Sequence, residues 1–126
     1  MSNEKNPYES IKQIFHEPNR LAIMSALCAA ETDGMTFNEL KKECGLTDGN
    51  LSRHLNALKS IDVIRIEKKF VGVKPCTTVF ISENGYEKFN EYLTALSEVL
   101  EQAQKALPKN VKTKDSHLIN GLRAGI

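Results

Sequence analysis

With 126 residues, a formal net charge of +1, 40% hydrophobic and 26% charged side chains, the chain has the size of one domain with a modest core and the make-up of an ordinary globular protein. No apolar run approaches a membrane span, and Met1-Ser2-Asn3-Glu4-Lys5 lacks the basic and apolar segments of a secretory signal, so a cytoplasmic protein with no membrane contact is expected. Cys28, Cys44 and Cys76 are odd in number and lack metal-ligand spacing, which fits reduced thiols better than a disulfide framework.

In chain order, residues 1–6 are polar and expected to be loose. Tyr8, Ile11 and Phe15 recur at i, i+3, i+7 after Pro7, predicting a short amphipathic helix that stops before Pro18. Leu21, Met24, Leu27 and Cys28, broadened by Ile23, form the core stripe of the next helix. Glu31-Thr32-Asp33-Gly34 reads as a turn, and Met35 to Phe37 as a short added strand.

Thr36 and Glu39 have capping-box spacing, so a third helix starts at Thr36. Phe37, Leu40 and Cys44 mark its buried face, and Gly45 supplies the left-handed residue that ends it. Thr47 caps a fourth helix. Leu51, Leu55 and Leu58 anchor one side of that helix and turn Gly49, Asn50, Arg53, Asn56 and Ser60 outward. Val63 to Glu67 and Thr77 to Ile81 then read as two strands around a tip containing Lys68, Lys69, Gly72, Val73 and Lys74. Ser82 caps the last helix, with Glu83 in its first turn. Along it Tyr86, Phe89, Leu93, Leu96, Leu100, Ala103 and Leu107 make a heptad seam, widened by Tyr92 and Val99. A helix this long would project from a small domain, so a second copy of the chain is the simplest partner for the seam. Pro108 ends the helix, and residues 108–126 are expected to be a flexible tail after a domain of residues 1–107. Leu118, Ile119 and Leu122 leave room there for one helical turn on the partner subunit.

The order is thus helix, helix, helix, reading helix, hairpin, long helix: mainly α with a small β-hairpin wing. An exposed helical N-terminal half bearing Thr, Asn, Ser and Arg after a Gly-containing turn suits a DNA major groove, where Arg forks onto guanine and Asn bridges adenine. Arg53 is the leading base reader, with Asn50, Ser52 and Asn56 beside it; Thr47 is a cap that also touches a phosphate. His54 flanks the apolar side and is expected to pack or bind phosphate. Lys68, Lys69 and Lys74 suit phosphate or minor-groove contact. The bland alternatives are a solvated helical face and a charged hairpin that keeps its edge soluble. Charge favours the first reading: residues 41–74 carry eight Lys or Arg against four acids, residues 1–40 and 75–107 are each net −3, and residues 108–126 are net +3.

The runs Asn19-Arg20-Leu21-Ala22-Ile23, Leu46 to Leu55 and Lys74 to Phe80 resemble bacterial and archaeal winged-helix regulators, nearest the MarR and ArsR groups. The resemblance covers Tyr8 to Leu107 and is strongest from Thr47 to Leu58 with the wing behind it. It implies a winged helix-turn-helix with a long C-terminal dimerisation helix and dimeric binding of double-stranded DNA. Relatives of this kind can respond to small molecules bound between dimer helices and reader, but no residue set here identifies an effector. ArsR-like metal sites use clustered thiolates or His and carboxylates, whereas here Cys44 stands alone on its helix and the last helix has no His. No metal and no cofactor are therefore expected. Cys28 and Cys44 are expected to be buried and inert, leaving Cys76 as the candidate exposed thiol. An enzyme is not expected: there is no phosphate-cradling Gly loop, and Ser52 and His54 fall on different faces of one helix. The expected function is a homodimeric transcriptional regulator, joined through Ser82 to Leu107 with help from Tyr8 to Phe15. The alternative is a winged-helix protein-interaction module without specific DNA binding.

Overall fold

The computed structural model describes residues 7–110, with side chains from Ile11 onward. The elements are α1 (Pro7–His16), α2 (Pro18–Ala30), a 3-10 turn (Glu31–Asp33), β1 (Met35–Thr36), α3 (Phe37–Cys44), α4 (Asp48–Ser60), β2 (Ile64–Val71), β3 (Lys74–Ile81) and α5 (Glu83–Ala106). They fall into two compact units, Met1–Ala95 and Leu96–Ile126, and α5 contributes residues to each. The expected tail lies almost wholly outside the described residues, as do its apolar group at Leu118, Ile119 and Leu122 and the polar start, residues 1–6.

Local chemistry sets most of the boundaries in the first unit. Pro18 opens α2 at a position where its missing N–H costs nothing, and the Glu17 carboxylate caps that helix by accepting from the Arg20 backbone N–H at 2.9 Å. Thr36 accepts from Glu39 N at 3.1 Å and so starts α3, which limits β1 to Met35 and Thr36 and places Phe37 in the helix instead of the expected strand. Gly34, at φ +68, lets β1 reach β3, since a Cβ there would stand 2.6 Å from the Val79 carbonyl oxygen.

The sheet has the antiparallel order β1-β3-β2. The register of β2 on β3 runs from Ile64↔Ile81 to Val71↔Lys74, and a two-residue turn, Gly72-Val73, closes it with Gly72 at φ +66. The strands are therefore longer than the expected five-residue runs. Lys68 and Lys69 lie within β2, opposite Thr77 and Cys76, and not at the tip, because pairing continues through Phe70↔Pro75 to the turn.

The core joins Ile23, Met24 and Leu27 of α2, Leu40 of α3, Leu51, Leu55 and Leu58 of α4, Val63 and Ile64, Val79 and Ile81. Phe15, Phe89 and Tyr92 complete it. Phe15 meets Phe89 edge-on with centroids 5.3 Å apart and lies 5.5 Å from Tyr92. This corrects two expected dimer contacts: Phe15 and Phe89 have no surface left for a partner because they close the protomer's own core. Ile11 is half-buried, and the side chain of Tyr8 lies outside the described ones.

The start of α5 is seated on the exit of α4. Ser82 N–H donates to the Val63 carbonyl at 3.1 Å, and Ser82 Oγ and Asn84 Nδ2 both donate to the Asp62 carbonyl, at 2.9 and 3.1 Å. Gly85 permits this approach, since a Cβ on it would fall 2.0 Å from the Val63 oxygen. Asp62 itself adopts φ 59, a left-handed conformation that Asp tolerates better than most residues. On the α5 surface of the first unit Tyr86 and Leu93 are exposed; in the second unit Val99, Leu100, Ala103 and Leu107 are exposed and Leu96 is half-buried.

Candidate nucleic-acid interface

The turn between α3 and α4 is built from backbone bonds. Gly45, left-handed at φ 64, donates to Lys42 O and Leu46 donates to Lys41 O at 3.0 Å, the paired contacts of a Schellman end. Thr47 then caps α4 by accepting from Asn50 N at 3.2 Å. Lys41 Nζ lies 2.9 Å from Asp48 Oδ1 across the turn and balances the acid at the start of α4. Leu51, Leu55 and Leu58 hold the helix to the core, each contributing on the order of 2 kcal/mol by burial.

Thr47, Gly49, Asn50, Ser52, Arg53 and Asn56 are all exposed. Arg53 Nη2 donates to Asn50 Oδ1 at 3.4 Å, a long bond that a stronger acceptor can displace. Gly49 has open space where a Cβ would stand. His54 does not belong to this group. It is 3% exposed and completes the buried i, i+3, i+4, i+7 face with the three leucines, so it packs and does not bind phosphate. Its Nδ1 is 3.4 Å from Arg20 Nη1 and 3.6 Å from Glu17 Oε2. A guanidinium only donates, so Nδ1 accepts and the ring is neutral, in keeping with burial pulling its pKa below the ordinary 6.5 against the opposing charge of Glu17. Burial raises the pKa of Glu17, but the backbone N–H groups of Arg20 and Asn19, with the charges of His54 and Arg20, outweigh it and lower the pKa overall.

The wing carries two kinds of surface. On one face Arg65 stacks over Phe80 at 4.4 Å and pairs with Glu67, which also lies 3.7 Å from Lys69. Lys68 and Lys74 are exposed and have no ion-pair partner among the described residues. The tip was missed by sequence reasoning. Phe70, Val71 and Val73 are 76%, 70% and 93% exposed, and the unalternated run Phe70-Val71-Gly72-Val73 was the available signal.

Other candidate chemistry stays apart. Ser52 is exposed while His54 is buried. Among the described residues no three His, Cys, Asp or Glu side chains gather as a metal site would require. Cys28, Cys44 and Cys76 are all half-buried, where full burial of the first two and exposure of the third were expected. Burial pushes the Cys28 thiol up, and burial with Glu43 does the same to Cys44. A shallow cavity of about 370 Å³ on α1 and Glu17, lined by Lys12, Gln13, His16 and Glu17, singles out no ligand class. No described helix is long and apolar enough to cross a membrane.

Comparison with known proteins bears on the family and the fold. An uncharacterised protein of Methanocaldococcus jannaschii is 31% identical over 81 residues, which are 64% of this chain and 86% of that protein. A solved transcriptional regulator homologue from Pyrococcus horikoshii superposes with a TM-score of 0.65 at 28% identity, covering 72% of this chain and 88% of the other. MepR of S. aureus, solved as a DNA complex, shares the fold at a TM-score of 0.61 and 15% identity, covering 94% and 87% of the two chains. The resemblance to MarR and ArsR regulators thus holds at the level of fold. The family model described as "Winged helix DNA-binding domain" matches residues 19–100, and the chain belongs to that family.

Proposed function

We propose that the protein is a homodimeric transcriptional regulator that binds double-stranded DNA sequence-specifically, laying α4 in the major groove. The observation that carries this reading is the exposed Asn50, Ser52, Arg53 and Asn56 face, on a helix whose opposite side is fixed by three buried leucines and His54. Thr47 and the α4 N-terminus meet a phosphate, and Lys68, Lys69 and Lys74 hold the flanking backbone. Two copies join through the exposed apolar residues of α5, Tyr86 and Leu93 in the first unit and Val99, Leu100 and Leu107 in the second. Leu96 and Ala103 complete the seam. Two-fold symmetry then requires a roughly palindromic site with half-sites about 34 Å apart, or a multiple of that. The DNA complex of MepR, a chain of the same fold, supports the reading.

Enrichment of bound duplexes from random DNA by the purified full chain tests it. The expected result is a two-fold symmetric motif bound with an affinity that falls steeply with salt. Absence of duplex binding at low salt would favour a protein-docking winged helix instead.

A further inference from the structure

We propose that the wing ends in an apolar wedge that enters the minor groove and opens a base step, so that this protein bends the DNA it binds. The inference rests on the DNA-binding reading and concerns what the wing tip does there. A hairpin kept only for solubility would carry charge or polarity at its end, yet Phe70, Val71 and Val73 are the three most exposed large apolar side chains of the chain's described part. Gly72 at φ +66 forms the turn with Val73 and adds no side chain.

The register decides the occupant. Lys68 precedes Phe70 by two residues on the same face of β2, Lys69 precedes Val71 on the other face, and Lys74 stands directly across from Val71. Both faces of the ribbon thus carry ammonium groups one two-residue step, about 7 Å, behind the apolar side chains. A minor groove is about 7.5 Å deep and rimmed by phosphates, so Phe70 and Val71 seated at its floor would bring Lys68 and Lys69 level with its rim, with Val73 beyond them at the turn. Apolar side chains pushed between base steps, with cations on the adjoining backbone, is the arrangement by which minor-groove proteins kink a duplex. The only acid on this part of the hairpin, Glu67, is engaged by Arg65 and lies near Lys69, so it does not oppose the approach. The wing belongs to the same compact unit as α4 and follows it in the chain through Ile61, Asp62 and Val63.

The test uses the full chain, a duplex enriched from random DNA by the wild type, and end-to-end fluorescence transfer to read bending. Phe70→Ser combined with Val73→Ser alters only exposed positions, so folding is retained and can be checked by circular dichroism. The double variant is expected to lose roughly tenfold in affinity and most of the bend, with an unchanged salt slope, because no counterion is released by an apolar side chain. Lys74→Ala is expected to reduce the slope by about 0.9 and keep the bend. Wild-type affinity and bending in the double variant would overturn the wedge while leaving the DNA-binding reading intact. Binding of the wild type to phosphatidylglycerol vesicles that the double variant loses, with DNA bending unaffected, would overturn it in favour of a membrane-docking tip. Failure of the wild type to bind any duplex at low salt would overturn both readings.

Discussion

Replacing Gly85 by alanine tests the seat that fixes α5 to the exit of α4. In an open helical position this change is favourable by up to about 1 kcal/mol, because alanine loses less backbone freedom. At Gly85 the new Cβ would lie 2.0 Å from the Val63 carbonyl oxygen and 2.8 Å from Ile81 Cγ2. The first contact is with backbone, which cannot swing aside, so the start of α5 must move outward. Overpacking of this kind costs about 1–3 kcal/mol, and loss of the 3.1 Å bond from Ser82 N to Val63 O adds about 1 kcal/mol. The expected net loss is about 1–4 kcal/mol, or a fall in Tm on the order of 10 °C. Gly49→Ala is the control: its Cβ meets nothing within 4 Å, so it should be neutral or slightly stabilising. Urea titration at one fixed protein concentration reads both, so that any self-association enters the two measurements alike. Equal stability of Gly85→Ala and Gly49→Ala would refute the close approach.

Stability should fall as the solution is acidified below about pH 6.5. The folded pKa of His54 is depressed, so the unfolded chain binds that proton first, and the stability present above 6.5 is lost as pH falls through the folded value. Glu17, also depressed, adds a further loss below about 4.5, and His54→Gln should flatten only the upper part of the profile measured by urea titration from pH 7 to 4. Leu100→Glu, at a site 59% exposed in the chain, should change protomer stability by less than about 0.5 kcal/mol but give a monomer by sedimentation. A wild type that sediments as a monomer at micromolar concentration would remove the basis for that expectation.

The features legible in the sequence were those set by neighbours a few residues away. Thr36, Gly45, Thr47 and Ser82 each act through a backbone bond within one turn or an adjoining left-handed residue, so spacing alone located the ends of α3 and the starts of α4 and α5. What was not legible depended on tertiary position. A heptad seam cannot say whether its residues meet the chain's own core or a partner, and Phe89 met Phe15. His54 stood at the edge of the leucine stripe, and only α2, with Glu17 and Arg20, made that edge an interior. The wing strands ran past the lysines because pairing persisted to the turn, a register no local pattern marked. Asp62 took a left-handed conformation usually signalled by glycine or asparagine, so the seat of α5 had no sequence mark.

The central claim is that α4 reads bases while the wing lysines hold the backbone, and affinities of Arg53→Ala and Lys68→Ala across a panel of duplexes test it most directly. Arg53→Ala should lose about 1–3 kcal/mol on the preferred site and far less on unrelated DNA, relaxing specificity at one base pair in each half-site. Lys68→Ala should weaken every duplex alike and lower the salt slope by about one. If the two variants instead scale all sequences by the same factor, with no loss of preference in Arg53→Ala, base reading by α4 is contradicted.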